Sequence, residues 1–118
     1  MVADDAPLRA ERRPETIVLV GEIDAYTEAR VREALTHGPD SGDLRVDLSG
    51  VTFMDSSGLR VALEVHQRLT REGRRLVLVA PPRAVTRLIE VAGLVSHLHV
   101  EPPIDVADAP QRVAGTER

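Results

Sequence analysis

Cysteine, lysine and tryptophan are all missing from this chain. Without a thiol there can be no disulfide, no cysteine nucleophile and no zinc ribbon. Tyr26 and Phe53 are the only aromatics. They are too few for the stacking platforms that hold unpaired bases, sugars or large flat cofactors. No apolar stretch approaches the ~18–20 residues of a transmembrane helix. The first residues, Met1-Val2-Ala3-Asp4-Asp5, are acidic and lack the apolar core of a signal peptide. The expectation is a cytoplasmic protein that does not engage a membrane.

What is present suits one ordinary globular domain. The chain has 118 residues, 42% of them hydrophobic, enough for a core that hides about two-thirds of the unfolded surface. Nineteen acids against 15 bases leave a formal charge of −4, and every base is arginine. Those arginines are dispersed, and a GC-rich coding bias explains them without a function. A net acidic chain repels phosphate, so direct nucleic-acid binding is not expected. We expect a single domain over 1–118, with its core at about 8–101 and residues 102–118 forming a tail or a short terminal helix.

Periodicity predicts the order strand, strand, helix, strand, helix, strand, helix, strand. Leu8 to Arg12 is a short first strand, turning at Arg13-Pro14-Glu15. Thr16-Ile17-Val18-Leu19-Val20 is a continuous apolar run, the pattern of a strand covered on both faces. Asp24 is placed to cap a helix that runs to about Thr36 on an apolar stripe of Val31, Ala34 and Leu35. Residues His37 to Gly42 are turn formers. Leu44 to Leu48 alternates with period two, and Ser49 to Met54 crosses to a helix from about Ser57 to Glu72. Leu59, Ala62, Leu63 and Leu69 form that helix's apolar face, with Val65 on the flank and Gly73 as its C-cap. Leu76 to Val79 is a buried strand, and Pro81-Pro82 opens a third helix that Gly93 stops. A last strand spans His97 to Val100, and Asp105 to Ala109 could add one helical turn. Strands alternating with helices argue for an α/β fold, with a mixed four- to five-stranded sheet and the main helices packed mostly on one face.

The stretch from Val46 to Leu59 carries the chemistry. Asp55-Ser56-Ser57-Gly58 follows a strand and opens a helix, where first-turn amides lack intrahelical partners and the helix dipole is positive. A phosphate attached there is stabilised locally. On local physics alone, capping is the favoured account of Asp55, Ser56 and Ser57, because Asp or Ser before a helix is commonplace.

The run Asp47-Leu48-Ser49-Gly50-Val51-Thr52-Phe53-Met54-Asp55-Ser56-Ser57-Gly58-Leu59 resembles the signature of the STAS-type anti-sigma factor antagonists. Gly21-Glu22-Ile23-Asp24 is similar to that family's Gly-Glu-Leu-Asp, and the likeness extends over about residues 8 to 101. The resemblance implies a STAS-like fold and a non-enzymatic switch without a cofactor. In it, the unphosphorylated form binds an anti-sigma factor that is also an ATP-dependent serine kinase, and so releases a sigma factor. Phosphorylation at Ser56 ends the complex, and a phosphatase restores it. By position, Asp24, Asp55, Ser56, Ser57 and Gly58 match the family's partner-binding surface. An alternative is a STAS scaffold or small-ligand sensor in another signalling complex. Many family members have glycine where this chain has Arg60, one helical turn beyond Ser56. Arg60 could shield a phosphate or simply point to solvent.

Other candidates carry less. His97, His99 and Glu101 alternate with metal-like spacing, but no second cluster completes a site. His66 lies near the apolar stripe of its helix and is expected to be partly buried. No serine lies in a Gly-x-Ser-x-Gly elbow and no histidine lies in the motif, so no catalytic residue is assigned.

Overall fold

The computed structural model describes residues 8–13 and 16–102. The elements are β1 (Leu8–Arg13), β2 (Thr16–Ile23), α1 (Glu28–Thr36), β3 (Leu44–Met54), α2 (Ser56–Arg71), β4 (Leu76–Val79), α3 (Arg83–Val91) and β5 (His99–Glu101). Their order is the expected one, and Asp105 to Ala109 lies outside the described residues. The five strands form one sheet in the order β1-β2-β3-β4-β5. β1 runs antiparallel to β2, and every later pair is parallel.

Because the strand order never reverses, crossovers of one hand return each helix to the same face. Burial identifies that face. Ile17, Leu19, Leu44, Val46, Leu48, Leu76 and Leu78 form one core with Val31 and Leu35 of α1, Val61, Val65 and Leu69 of α2, and Val85 and Ile89 of α3. On the opposite face Val18 and Val77 are also buried, as the unbroken apolar runs of β2 and β4 require. Polar side chains accompany them there, including an Arg45–Glu101 ion pair at 2.7 Å that spans from β3 to β5.

Several boundaries differ from the sequence expectation. β3 continues through Ser49 to Met54, where a crossing segment was expected. Its pairing with β2 shifts register twice, between Val18 and Val20 and between Gly21 and Glu22. Each shift places an extra residue in β3, which breaks the period-two pattern while the strand continues with a bend. Gly50 fits the first irregularity: a Cβ there would stand 3.0 Å from Val20 Cγ2. On α2, Val61 and Val65 occupy the centre of the buried face and Leu63 its margin. Pro82 is the N-cap of α3, just ahead of its first turn. Gly73 does end α2, at φ 74°, with Arg74 N–H donating to the Leu69 carbonyl at 2.8 Å.

Candidate functional site

β2 and β3 are parallel and end side by side, Ile23 against Met54. The next backbone amide, Asp55 N–H, donates to the Ile23 carbonyl at 3.1 Å. This bond joins the two loops that follow the strands. Asp24 and the Asp55-Ser56 pair therefore sit on one edge of the sheet, although they are far apart in sequence.

Asp55 is the N-cap of α2, with extended backbone at φ −111° and ψ −169°. Its Oδ1 accepts from Ser57 N–H at 2.8 Å, while its carbonyl accepts from Gly58 N–H at 3.1 Å and Leu59 N–H at 3.3 Å. The first-turn amides from Ser57 to Leu59 are thus already taken, as the capping account of Asp55 requires, and are not left open to an anion. α2 opens at Ser56, whose side chain is exposed, whereas Ser57 is only 8% exposed. Gly58 explains this orientation. A Cβ at that position would come within 2.6 Å of Ile23 Cγ2 and 2.7 Å of Met54 Cγ. Only glycine lets the first turn rest directly on the ends of β2 and β3, and that seating turns Ser57 inward and Ser56 outward.

Asp24 does not cap a helix as expected. Its Oδ1 accepts from Tyr26 N–H at 2.9 Å and Thr27 N–H at 3.1 Å, which makes a turn of its own. The buried Thr27 locks this turn: its hydroxyl donates to the Glu22 carbonyl at 2.9 Å and accepts from Asp24 N–H at 2.9 Å. α1 begins only at Glu28, with Thr27 as an N-cap that makes no side-chain capping bond. A short polar side chain that bonds its neighbouring amides competes with helix formation, so the helix starts later. The turn projects Tyr26 into solvent at 94% exposure, and Phe53, paired in register with Glu22, is 47% exposed. Sequence reasoning used these two aromatics only to exclude functions. The available signal was that each lies two residues from one of the two motif aspartates.

Beside this edge, charges of alternating sign join α1 to α2. Glu28 contacts Arg32 at 2.8 Å and Arg60 at 3.3 Å, and Arg32 contacts Glu64 at 3.0 Å. Arg60 thus reaches across to α1, an arrangement that neither sequence expectation for it included. The Arg32 guanidinium, opposed by partial desolvation and helped by Arg60, holds the Glu28 carboxyl below its ordinary range. Asp24 and Asp55, in contrast, form no ion pair with any described residue. Among the described residues, the edge around Ser56 therefore carries two carboxylates that no ion pair neutralises.

The remaining candidates do not converge. His97 lies in a turn before β5, and Glu101 is held by Arg45. Among the described residues, no three His, Asp or Glu side chains are placed to hold a metal ion. His66 is partly buried, as expected, its ring 6.0 Å from that of His99 and its Nδ1 without a described partner. Among the described residues, no helix is long and apolar enough to cross a membrane.

A mixed sheet with unreversed strand order, three helices on one face and an exposed serine beside the Asp55 N-cap of α2 together define a STAS-like α/β domain. The family model described as "Mlab, STAS domain" matches residues 7–99. The anti-sigma-B factor antagonist of Listeria monocytogenes is 40% identical over 80 residues, covering 66% of this chain and 70% of that protein. Its Staphylococcus aureus namesake is 32% identical over 88 residues, covering 73% and 82%. A solved anti-sigma factor antagonist from Mycobacterium paratuberculosis superposes with a TM-score of 0.62 at 27% identity, covering 86% of this chain and 88% of that one. The Bacillus determinant SpoIIAA in its phosphorylated form shares the fold, with a TM-score of 0.58 at 21% identity over 89% and 97% of the two chains. The chain belongs to the STAS-domain family of anti-sigma factor antagonists.

Proposed function

We propose that this protein is a cytoplasmic anti-sigma factor antagonist, switched by phosphorylation at Ser56. Its unphosphorylated form binds an anti-sigma factor that is also a serine kinase, and so frees a sigma factor. The kinase transfers the γ-phosphoryl group of ATP to Ser56 Oγ, releasing ADP and the hydroxyl proton, and a phosphatase hydrolyses the ester to reset the switch. The protein is substrate and regulator, with no catalytic residue and no cofactor of its own. Asp24, Asp55 and Ser56 form the partner-binding surface, while Ser57 and Gly58 seat it.

One observation carries this assignment: of two adjacent serines at the helix opening, Ser56 is presented to solvent and Ser57 is buried. The electrostatics support an off-switch. A phosphate adds about −1.5 to −2 charge on an edge where Asp24 and Asp55 form no ion pair among the described residues. A partner surface fitted to a neutral hydroxyl then meets repulsion and unmatched desolvation. Incubation with the cognate kinase and ATP, followed by fragment mass spectra, is the test. Phosphate on Ser56 is expected; phosphate on Ser57, or full incorporation into Ser56→Ala, rejects the assignment.

A second function, a STAS module that senses a small ligand, is favoured by one cleft of about 330 Å³ at the far end of the molecule. Thr36, Asp40, Arg68 and Glu72 contribute to its lining. Native mass spectrometry of the purified chain separates the two: a retained ligand supports sensing, and a clean apo mass supports the switch.

A further inference from the structure

The phosphate proposed for Ser56 has no obvious resting place. The α2 amides that would cradle an anion at Ser57, Gly58 and Leu59 are engaged by Asp55. Asp55 and Asp24 add negative charge nearby. A dianion on that edge needs a cation, and side chains four residues apart on a helix are neighbours. The residue four beyond Ser56 is Arg60.

Arg60 is well disposed to move. Its side chain is 57% exposed, and its one partner among the described residues is Glu28, at 3.3 Å. That is the longest of the three contacts in the α1–α2 charge ladder. Glu28 also holds Arg32 at 2.8 Å, so it stays paired if Arg60 leaves. A phosphate, carrying more charge and three acceptor oxygens, outcompetes a carboxylate that already has another arginine. Resting on the assignment of Ser56 as the modified residue, we propose that Arg60 exchanges Glu28 for the Ser56 phosphate when the protein is phosphorylated. Arg60 is then a positioning residue that folds the phosphate back against α2.

The test uses the full chain with phosphoserine installed at position 56 during translation and verified by intact mass. The second ionisation of the phosphate, ordinarily near ~6, is followed by 31P NMR titration. Arg60→Gln is expected to raise that value by about half a unit, and Arg60→Lys to restore part of the difference. Glu28→Gln, which removes the competing carboxylate, is expected to lower it below that of the unsubstituted phosphoprotein. The Arg60→Gln difference should shrink at 1 M salt, as expected for an exposed pair. Identical titrations for the unsubstituted, Arg60→Gln and Arg60→Lys proteins overturn the exchange. So does a Glu28→Gln titration unchanged from that of the unsubstituted phosphoprotein. Thermal melts of each variant confirm that a folded chain is being titrated. Since the phosphoserine is built in without a kinase, this result stands apart from whether a kinase modifies Ser56, which the mass spectra decide separately.

Discussion

Ser56 and Ser57 have the same side chain, yet the first turn of α2 exposes one and buries the other. Ser56→Asp should stay folded, because the helix dipole favours an exposed carboxylate at the N-terminus by about 0.3–1 kcal/mol. It should still bind the anti-sigma kinase poorly, while Ser56→Ala keeps substantial binding and loses its response to ATP. Calorimetry of all three proteins against one partner checks this, and equal affinities reject the charge switch. Gly58→Ala should destabilise the fold. Its methyl group would lie 2.6 Å from Ile23 Cγ2, an overpacking cost of about 1–3 kcal/mol against about 1 kcal/mol of helix propensity gained. A thermal melt lowered by several degrees is expected, and an unchanged or raised melt would show that the contact relaxes freely. At this scale the Asp-Ser-Ser-Gly cap was legible because capping is local chemistry. Which serine faces solvent was not, because distant Ile23 sets how the turn is seated.

Among the elements, the α1–α2 ladder ties the two helices nearest the site. Glu28 titrates below its ordinary value of 4.5 through Arg32, then Arg60, and Asp43 below 3.8 through Arg75. A carboxyl group depressed on folding adds stability that is fully present above its unfolded value and is lost as pH falls through the lower folded one. Melting temperature should therefore be insensitive to these groups at neutral pH and fall as pH drops below about 4.5. Glu28→Gln should reduce that acid sensitivity; a melt whose acid dependence matches the unsubstituted protein removes Glu28 from the linkage. Asp24→Ala deletes the acceptor of the Tyr26–Thr27 turn. It should weaken partner binding by more than the stability lost with those two turn hydrogen bonds, about 0.5–1.5 kcal/mol each, as measured by calorimetry alongside a melt. Unchanged affinity would place Asp24 outside the surface. Element order was readable from periodicity, but the start of α1 was not. An aspartate before an apolar stripe looks the same whether it caps a helix or closes a turn, and the buried Thr27 decides between them. The length of β3 was hidden for a related reason: its irregular register with β2 erases the alternation that marks a strand.

Across the whole molecule, the unreversed strand order matters most. Open α/β sheets bind small ligands in the crevice where strand order switches direction, and this sheet has no such point. The ends of β2 and β3 form a rim that carries Tyr26, Phe53 and two aspartates without an ion pair among the described residues, suited to a broad contact with a protein. Exposed aromatics commonly anchor such contacts. Tyr26→Ala should lower partner affinity about tenfold, roughly 1.4 kcal/mol, with no loss in melting temperature. A melt lowered in step with affinity would reduce Tyr26 to a structural role.

The bond between Asp55 N–H and the Ile23 carbonyl has a consequence for how fast the rim can be recognised. Ordering one residue's backbone costs about 1–2 kcal/mol, and here two loops are ordered during folding, before any partner arrives. Under the proposed function, recognition would then need no loop closure on encounter, with the association rate set by collision and charge and the lifetime of the complex by contacts at the rim. On the proposed reading, modification at the Ser56 oxygen would change how long the complex lasts without rebuilding the surface that forms it.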